Sequence, residues 1–201
     1  MTKYKLNYFN VKGLGEPIRM LLSYMDKEFE DNRLLFEDWP QKKKQTLFGK
    51  LPVLEINGKE ICESTAICRY LAVEAGLGGK NDWENLQIDM IVGTVMDFHF
   101  DIVTFVRESD PKKKEELKTK LLNETIPFYF NKYEERVKNN NCIANNSLSW
   151  ADIFFTSYTE CIDGLLETKS LEKYQNLTAL KEKIYNLPNI KKWIQKRPDT
   201  R

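Results

Sequence analysis

Tyr8 closes an apolar segment, Tyr4–Phe9, and is followed at once by Gly13-x-Gly15. A phenol hydroxyl is a strong neutral donor. Aimed at a sulfur, it favours thiolate over thiol and lowers the thiol pKa. Loops at strand ends in α/β folds are frequent ligand sites, although a half-buried strand tyrosine would read the same way. Leu51-Pro52 precedes a hairpin. A proline there cannot donate to a ladder, so it sits at a strand start or edge. X-Pro bonds tolerate cis, which would turn neighbouring backbone groups outward for an extended peptide; an ordinary turn proline is the alternative. Ser64 reads as the N-cap of a helix, where free N–H groups favour an anion. Glu63 before it can accept from an ammonium. The two would suit an amino-acid zwitterion, or be a plain cap. Trp39, Lys43 and Lys50 offer indole and ammonium donors for a terminal carboxylate, while Lys42–Lys44 also fits a solvated face.

The elements that must position these residues divide in two. Tyr4–Phe9 and Phe29–Phe36 read as strands around a helix that starts near Pro17 and runs through Ile18–Tyr24. Val53–Ile56 and Lys59–Cys62 flank Asn57-Gly58, a two-residue hairpin signal because both residues tolerate φ > 0. Ser64–Ala72 reads as a helix. This order predicts an α/β layer. Ala75–Asn81 is glycine-rich and reads as a linker. Beyond it the spacing predicts helices over Asn85–Val106, Lys112–Lys138 with a kink or break at Pro127, Trp150–Leu166, Leu177–Tyr185 and Ile190–Gln195. Leu148-Ser149-Trp150-Ala151-Asp152 has capping-box spacing with an N′–N4 staple from Leu148 to Ile153, a structural motif.

Composition narrows the functional classes. A hydrophobic fraction of 41% supports a packed core. A net charge of +1 gives no footprint for nucleic acid or an anionic membrane. Cys62, Cys68, Cys142 and Cys161 form no C-x-x-C pair, and His99 is the single histidine, so zinc spacing and a His-based triad are absent. The opening MTKYKLNYF enters a strand pattern directly, with no signal peptide and no membrane-spanning apolar run. A reducing cytoplasm with free thiols is expected.

Taken together, and in their order, the segments YKLNYFNVKGLGEPIR, EDWP, FGKLPVLEINGKEICESTAICRYLA, DWENLQIDMIV, LSWADIFF and LPNIKKWIQKRP make the chain resemble a sigma-class glutathione transferase along essentially its whole length. The resemblance implies an α/β plus all-α architecture: a thioredoxin-like domain over residues 1–75 and an all-helical domain over 82–201. It implies a cytoplasmic homodimeric detoxification enzyme that uses glutathione, with no metal. Tyr8 would donate to the glutathione sulfur. Leu51 would pair its backbone with the cysteinyl part beside cis Pro52. Trp39, Lys43 and Lys50 would hold the glycyl carboxylate, and Glu63 and Ser64 the γ-glutamyl group. Asp97 would reach that ammonium from the other subunit. Phe9, Leu14, Thr104, Phe154 and Tyr158 would line an apolar electrophile site; His99 would border it or, as a lone histidine on an apolar helix more often does, serve the structure alone.

The pattern also departs from the family. Most sigma members carry Gln where Glu63 stands. Vertebrate prostaglandin D synthases of the class carry Arg at the position of Leu14, Trp at Thr104 and Asp at Gly93 and Met96. Conjugation of electrophiles is therefore the expected activity. Prostaglandin H to D isomerisation and a non-catalytic crystallin-like role are the alternatives, and a thiol oxidoreductase would want Cys in place of Tyr8.

Overall fold

A computed structural model describes residues 2–200. Its first part is a four-stranded sheet with order β2-β1-β3-β4. β1 (Tyr4–Phe9) alternates strictly, with Tyr4, Leu6 and Tyr8 turned into the core. α1 (Glu16–Tyr24) returns the chain to β2 (Phe29–Leu34), which pairs parallel to β1 with Tyr8 opposite Arg33 and Phe9 opposite Leu34. β2 is shorter than the expected Phe29–Phe36. β1 is its only neighbour, and β1 ends at Phe9, so nothing remains for Leu35 and Phe36 to pair with.

After a one-turn helix α2 (Trp39–Lys42), β3 (Val53–Ile56) runs antiparallel to β1, and β4 (Lys59–Cys62) antiparallel to β3. The turn between them is the one predicted: Asn57 and Gly58 have φ of 51° and 81°, as a type I′ turn requires. Asn57 Oδ1 also accepts from the Lys3 N–H at 2.9 Å.

α3 (Ser64–Ala75) runs one turn past its expected end. It closes on left-handed Gly76, with Leu77 N–H reaching back to Ala72 O at 2.9 Å, a Schellman-type stop. Leu77 O in turn accepts from Trp150 N–H at 3.0 Å, which ties the glycine-rich connection to the helical part.

That part holds α4 (Asp82–Arg107), α5 (Pro111–Lys120), α6 (Ile126–Asn140), α7 (Trp150–Leu166), α8 (Gln175–Tyr185) and α9 (Pro188–Lys196). α4 begins three residues earlier than expected because Asn81 caps it: its side chain accepts from Glu84 N–H, while Glu84 accepts from Lys80 N–H. The stretch around Pro127 stays helical but is locally distorted, as the proline predicts. A π-helical turn over Leu121–Thr125 separates α5 from α6, whose first turn contains Pro127.

α7 is the central helix, buried almost all round. The Ser149–Asp152 box forms at its start: Ser149 N–H and Oγ–H both donate to Asp152 Oδ2, at 2.8 and 2.9 Å. Asp152 Oδ1 takes a third bond, from Ile143 N–H at 2.8 Å, which fastens the polar loop before α7. No described helix is long and apolar enough to cross a membrane.

Candidate active site

Tyr8 is 8% exposed at the end of β1. Its hydroxyl oxygen accepts the N–H of Leu14 at 3.0 Å. With that side of the oxygen occupied, the phenol proton is directed elsewhere. The amide bond also polarises the O–H and strengthens it as a donor. Burial pushes the Tyr8 pKa up to about 12, and the Leu14 bond offsets only part of that shift. The group is thus a permanent neutral donor near pH 7, suited to steadying an anion and unsuited to acting as a base.

The two glycines are the seat of this phenol. A Cβ on Gly13 would lie 2.6 Å from the Tyr8 hydroxyl, and one on Gly15 would lie 2.5 Å from Cδ1 of the ring. Gly13 also has φ +39°, a region that favours glycine. Its backbone also bears on the thiol of Cys161, which burial pushes up to about 11 and so keeps protonated.

The Leu51–Pro52 peptide bond is cis. The N–H and C=O of Leu51 make no backbone hydrogen bond among the described residues. Ser64 is not the N-cap as expected. It is the first residue of α3, and Glu63 occupies the cap position without a side-chain cap bond. The reason is local geometry: Glu63 adopts φ 68°, ψ 106°, costly for a residue with a Cβ, and this turns the chain abruptly into the helix. Ser64 is buried, and its hydroxyl has no protein partner among the described residues. Lys50 and Glu63 face each other at 3.7 Å on the surface. Lys43 and Asp97 are exposed, Asp97 on α4.

Trp39 meets the edge of Phe9 at 5.4 Å, and Phe36 stacks on Phe9 at 4.4 Å. Phe36 was missed as a wall of this group because it was assigned to the strand. Leu14 is half-buried beside Tyr8, and exposed Thr104 donates to Phe100 O.

Phe154 and Tyr158 need correction as lining residues. They are 0% and 1% exposed, inside the α7 core, where Phe154 meets the edge of Trp150. The family resemblance put them at the site, whereas α4 packs over this face of α7. The Tyr158 hydroxyl lies 2.7 Å from Nδ1 of His99 on α4. Burial, with a smaller push from Arg107, holds His99 down to about 4, so it is neutral at pH 7.

Residues 4–73 match the glutathione S-transferase N-terminal domain, and residues 96–197 the glutathione S-transferase C-terminal domain. The chain belongs to the glutathione S-transferase family. A "Glutathione S-transferase" of Anopheles gambiae is 43% identical over 201 residues, 100% of this chain and 99% of that protein. The human "Hematopoietic prostaglandin D synthase" is 33% identical, with 100% of both chains covered. Among solved structures, a "prostaglandin synthase D of Nilaparvata lugens" is 51% identical with a TM-score of 0.95, covering 98% of this chain and 99% of that one.

This glutathione transferase uses glutathione as co-substrate and has the family's fold: the mixed sheet followed by helices. It also contains an ion network that spacing in sequence did not reveal. Arg19, wholly buried, donates to Asp31 at 2.9 Å, Glu16 at 3.2 Å and Val11 O at 2.9 Å. Glu16 accepts from Trp193 Nε1 and from Arg197, each at 2.8 Å. Arg197 continues to Glu160 at 2.6 Å, and Lys12 donates to Thr200 O at 2.6 Å. The segment that seats Tyr8 is thereby fastened to α7 and to the end of the chain. The only available signal was the E-P-I-R order, with Glu16 and Arg19 one turn apart.

Proposed function

We propose that this glutathione transferase holds the glutathione thiolate on the Tyr8 hydroxyl and adds it to small apolar electrophiles. The observation that supports this is the Tyr8 oxygen, engaged by Leu14 N–H and backed by Gly13 and Gly15, with its own proton left available for a ligand. The free backbone of Leu51 would pair with the cysteinyl part beside Pro52. Trp39, Lys43 and Lys50 would hold the glycyl carboxylate. The unpartnered Ser64 hydroxyl and the Glu63 carboxylate would hold the γ-glutamyl group, Lys50 leaving Glu63 as it turns to the carboxylate. The thiol proton goes to solvent, the sulfur bonds to the electrophilic carbon, and the displaced pair leaves with a halide or moves onto an acceptor. Phe9, Phe36, Leu14 and Thr104 would bound the electrophile, with Tyr158 and Phe154 behind.

Residues 1–75 and 82–201 are taken as the two domains, and the cytoplasm as the compartment. A homodimer is supported by Phe48, 71% exposed, and by a neighbouring surface cavity of 650 Å³ walled by Leu47, Ile61, Cys62, Ala66, Ile67 and Tyr70. Exposed apolar surface of this kind marks an interface. Asp97 would then serve the partner's site. Sedimentation should give twice the chain mass.

The test of the main reading is conjugation of chlorodinitrobenzene over a pH series. We expect a bound-thiol pKa about two units below the free value of ~8.5. Tyr8→Phe should lose that shift and most turnover while glutathione KM changes little. Unchanged turnover and profile in Tyr8→Phe would overturn the assignment.

The name of the Nilaparvata lugens structure favours a second reading, isomerisation of prostaglandin H to the D form. Against it stand Leu14, Thr104, Gly93 and Met96, which supply neither a guanidinium, an indole wall nor extra carboxylates. One carboxylate, Asp97, from each chain is too few for a strongly hydrated cation. Product-specific prostaglandin D formation, stimulated by Mg²⁺ and abolished by EDTA, would establish this second reading.

A further inference from the structure

We infer that His99 is a specificity-determining residue of the electrophile site, presenting a fixed Nε2–H to the oxygen of α,β-unsaturated carbonyl substrates, with Tyr158 as the residue that positions it. The inference rests on the proposed glutathione chemistry at Tyr8 and deepens it.

His99 is linked to that chemistry through Tyr158, which lies within electrostatic reach of both Cys161 and Tyr8. Gly13 backs the Tyr8 hydroxyl, and its turn packs on α7, where its backbone bears on Cys161. Tyr158 is one turn before Cys161 and so on the same face of that helix. The Tyr158 hydroxyl is 2.7 Å from His99 Nδ1, with the rings edge to face at 5.4 Å.

The tautomer follows from satisfying buried groups. Tyr158 is 1% exposed and His99 is its only hydrogen-bond partner among the described residues. If Nδ1 carried the proton, the Tyr158 O–H would be stranded in the core. Tyr158 therefore donates, Nδ1 accepts, and the neutral imidazole carries its proton on Nε2. Nδ1 is turned inward, His99 as a whole is half-exposed, and Nε2 has no protein partner among the described residues. Nε2 is not among the fully buried unpartnered atoms, so the free donor keeps some exposure. The groups bearing on the ring are Tyr158 from α7 and Arg107 from its own helix.

When thiolate adds to an enal, the sulfur bonds to the β-carbon and the C=C pair moves through the α-carbon onto the carbonyl oxygen. That oxygen becomes an enolate. A preorganised neutral donor stabilises it as the charge develops. Water then returns one proton to the α-carbon, and the bond to Nε2–H is released. A substitution such as that on benzyl chloride places its charge on chloride and gives this donor nothing to act on.

Because His99 is the only histidine, one long-range ¹H–¹⁵N spectrum of the uniformly labelled full chain reports its state without assignment. We expect the Nε2–H tautomer with no titration between about pH 5.5 and 8. In Tyr158→Phe the preference for the Nε2–H tautomer should be lost, since Nδ1 then has no proton donor, while burial still holds the ring neutral. By kinetics, the ratio of kcat/KM for hex-2-enal to that for benzyl chloride should fall at least tenfold in His99→Phe. In His99→Gln, which keeps a donor, it should stay within threefold of wild type. An Nδ1–H tautomer, or an unchanged ratio in His99→Phe, overturns the inference while leaving the Tyr8 reading intact. Failure of the wild-type chain to conjugate either electrophile would instead overturn the Tyr8 reading.

Discussion

Gly15 lies flat against the ring of Tyr8, so that any Cβ on it would sit 2.5 Å from Cδ1 and 2.8 Å from Cγ. The ring is buried and its hydroxyl is tied to Leu14, so the ring cannot step aside without breaking that bond. Gly15→Ala is expected to displace the phenol and lower kcat for conjugation at least tenfold, since a shift of about 1 Å at a catalytic group costs about that much or more. Glutathione KM should change less than threefold. Parallel kinetics and a thermal melt check this. A variant with wild-type kcat would show that the close approach has no catalytic role.

Ser64→Ala and Trp39→Ala address binding rather than chemistry. Ser64 is buried at the start of α3 with a free hydroxyl, and Trp39 flanks the Phe9 stack. Losing a donor to a carboxylate costs about 1.5–3 kcal/mol. Glutathione Kd, measured by calorimetry, should rise at least tenfold in each variant, with kcat at saturation less affected. Normal affinity in both would mean that the carboxylate sites are misplaced.

Asp152→Ala should cost stability and leave the chemistry alone. The carboxylate accepts from Ser149 N–H, Ser149 Oγ–H and Ile143 N–H in a fully buried place. Losing the cap costs roughly 0.5–2 kcal/mol, and each stranded donor adds about 1–3 kcal/mol. Urea unfolding should therefore show a loss of more than about 2 kcal/mol, with normal kcat in whatever protein remains folded. A stable but inactive variant would make Asp152 a site residue.

Glu16 sets a pH dependence. Burial alone would push its carboxyl up, but the Arg19 and Arg197 guanidiniums and the Trp193 N–H outweigh burial and hold it below the ordinary 4.5. A carboxyl depressed in the folded state contributes stability that is fully present above 4.5 and is lost as pH falls through the lower folded value. The urea midpoint of wild type should exceed that of Glu16→Gln at pH 7, and the gap should narrow below pH 4.5. A gap that widens on acidification would contradict the network.

What adjacent residues encode was legible in the sequence. Asn57-Gly58 dictates its turn because two neighbouring φ angles must be positive, and Ser149 with Asp152 dictates a helix start because a cap is satisfied within four residues. Pro127 distorted its helix for the same local reason. The strand of Tyr8 and the glycines after it were likewise visible, as was the α/β-then-helical order. Tertiary structure decided the rest. It ended β2 at Leu34, where β1 stopped offering a partner, and so freed Phe36 to stack on Phe9. It buried Phe154 and Tyr158, which the family resemblance had put along the electrophile site. It joined Glu16 to Trp193, 177 residues away, and turned Glu63 to positive φ. Helix caps and turns are closed by bonds within a few residues, so their energetics are written in short motifs. A buried charge must instead find whichever partner the packed helices bring to it, and no local spacing records that choice.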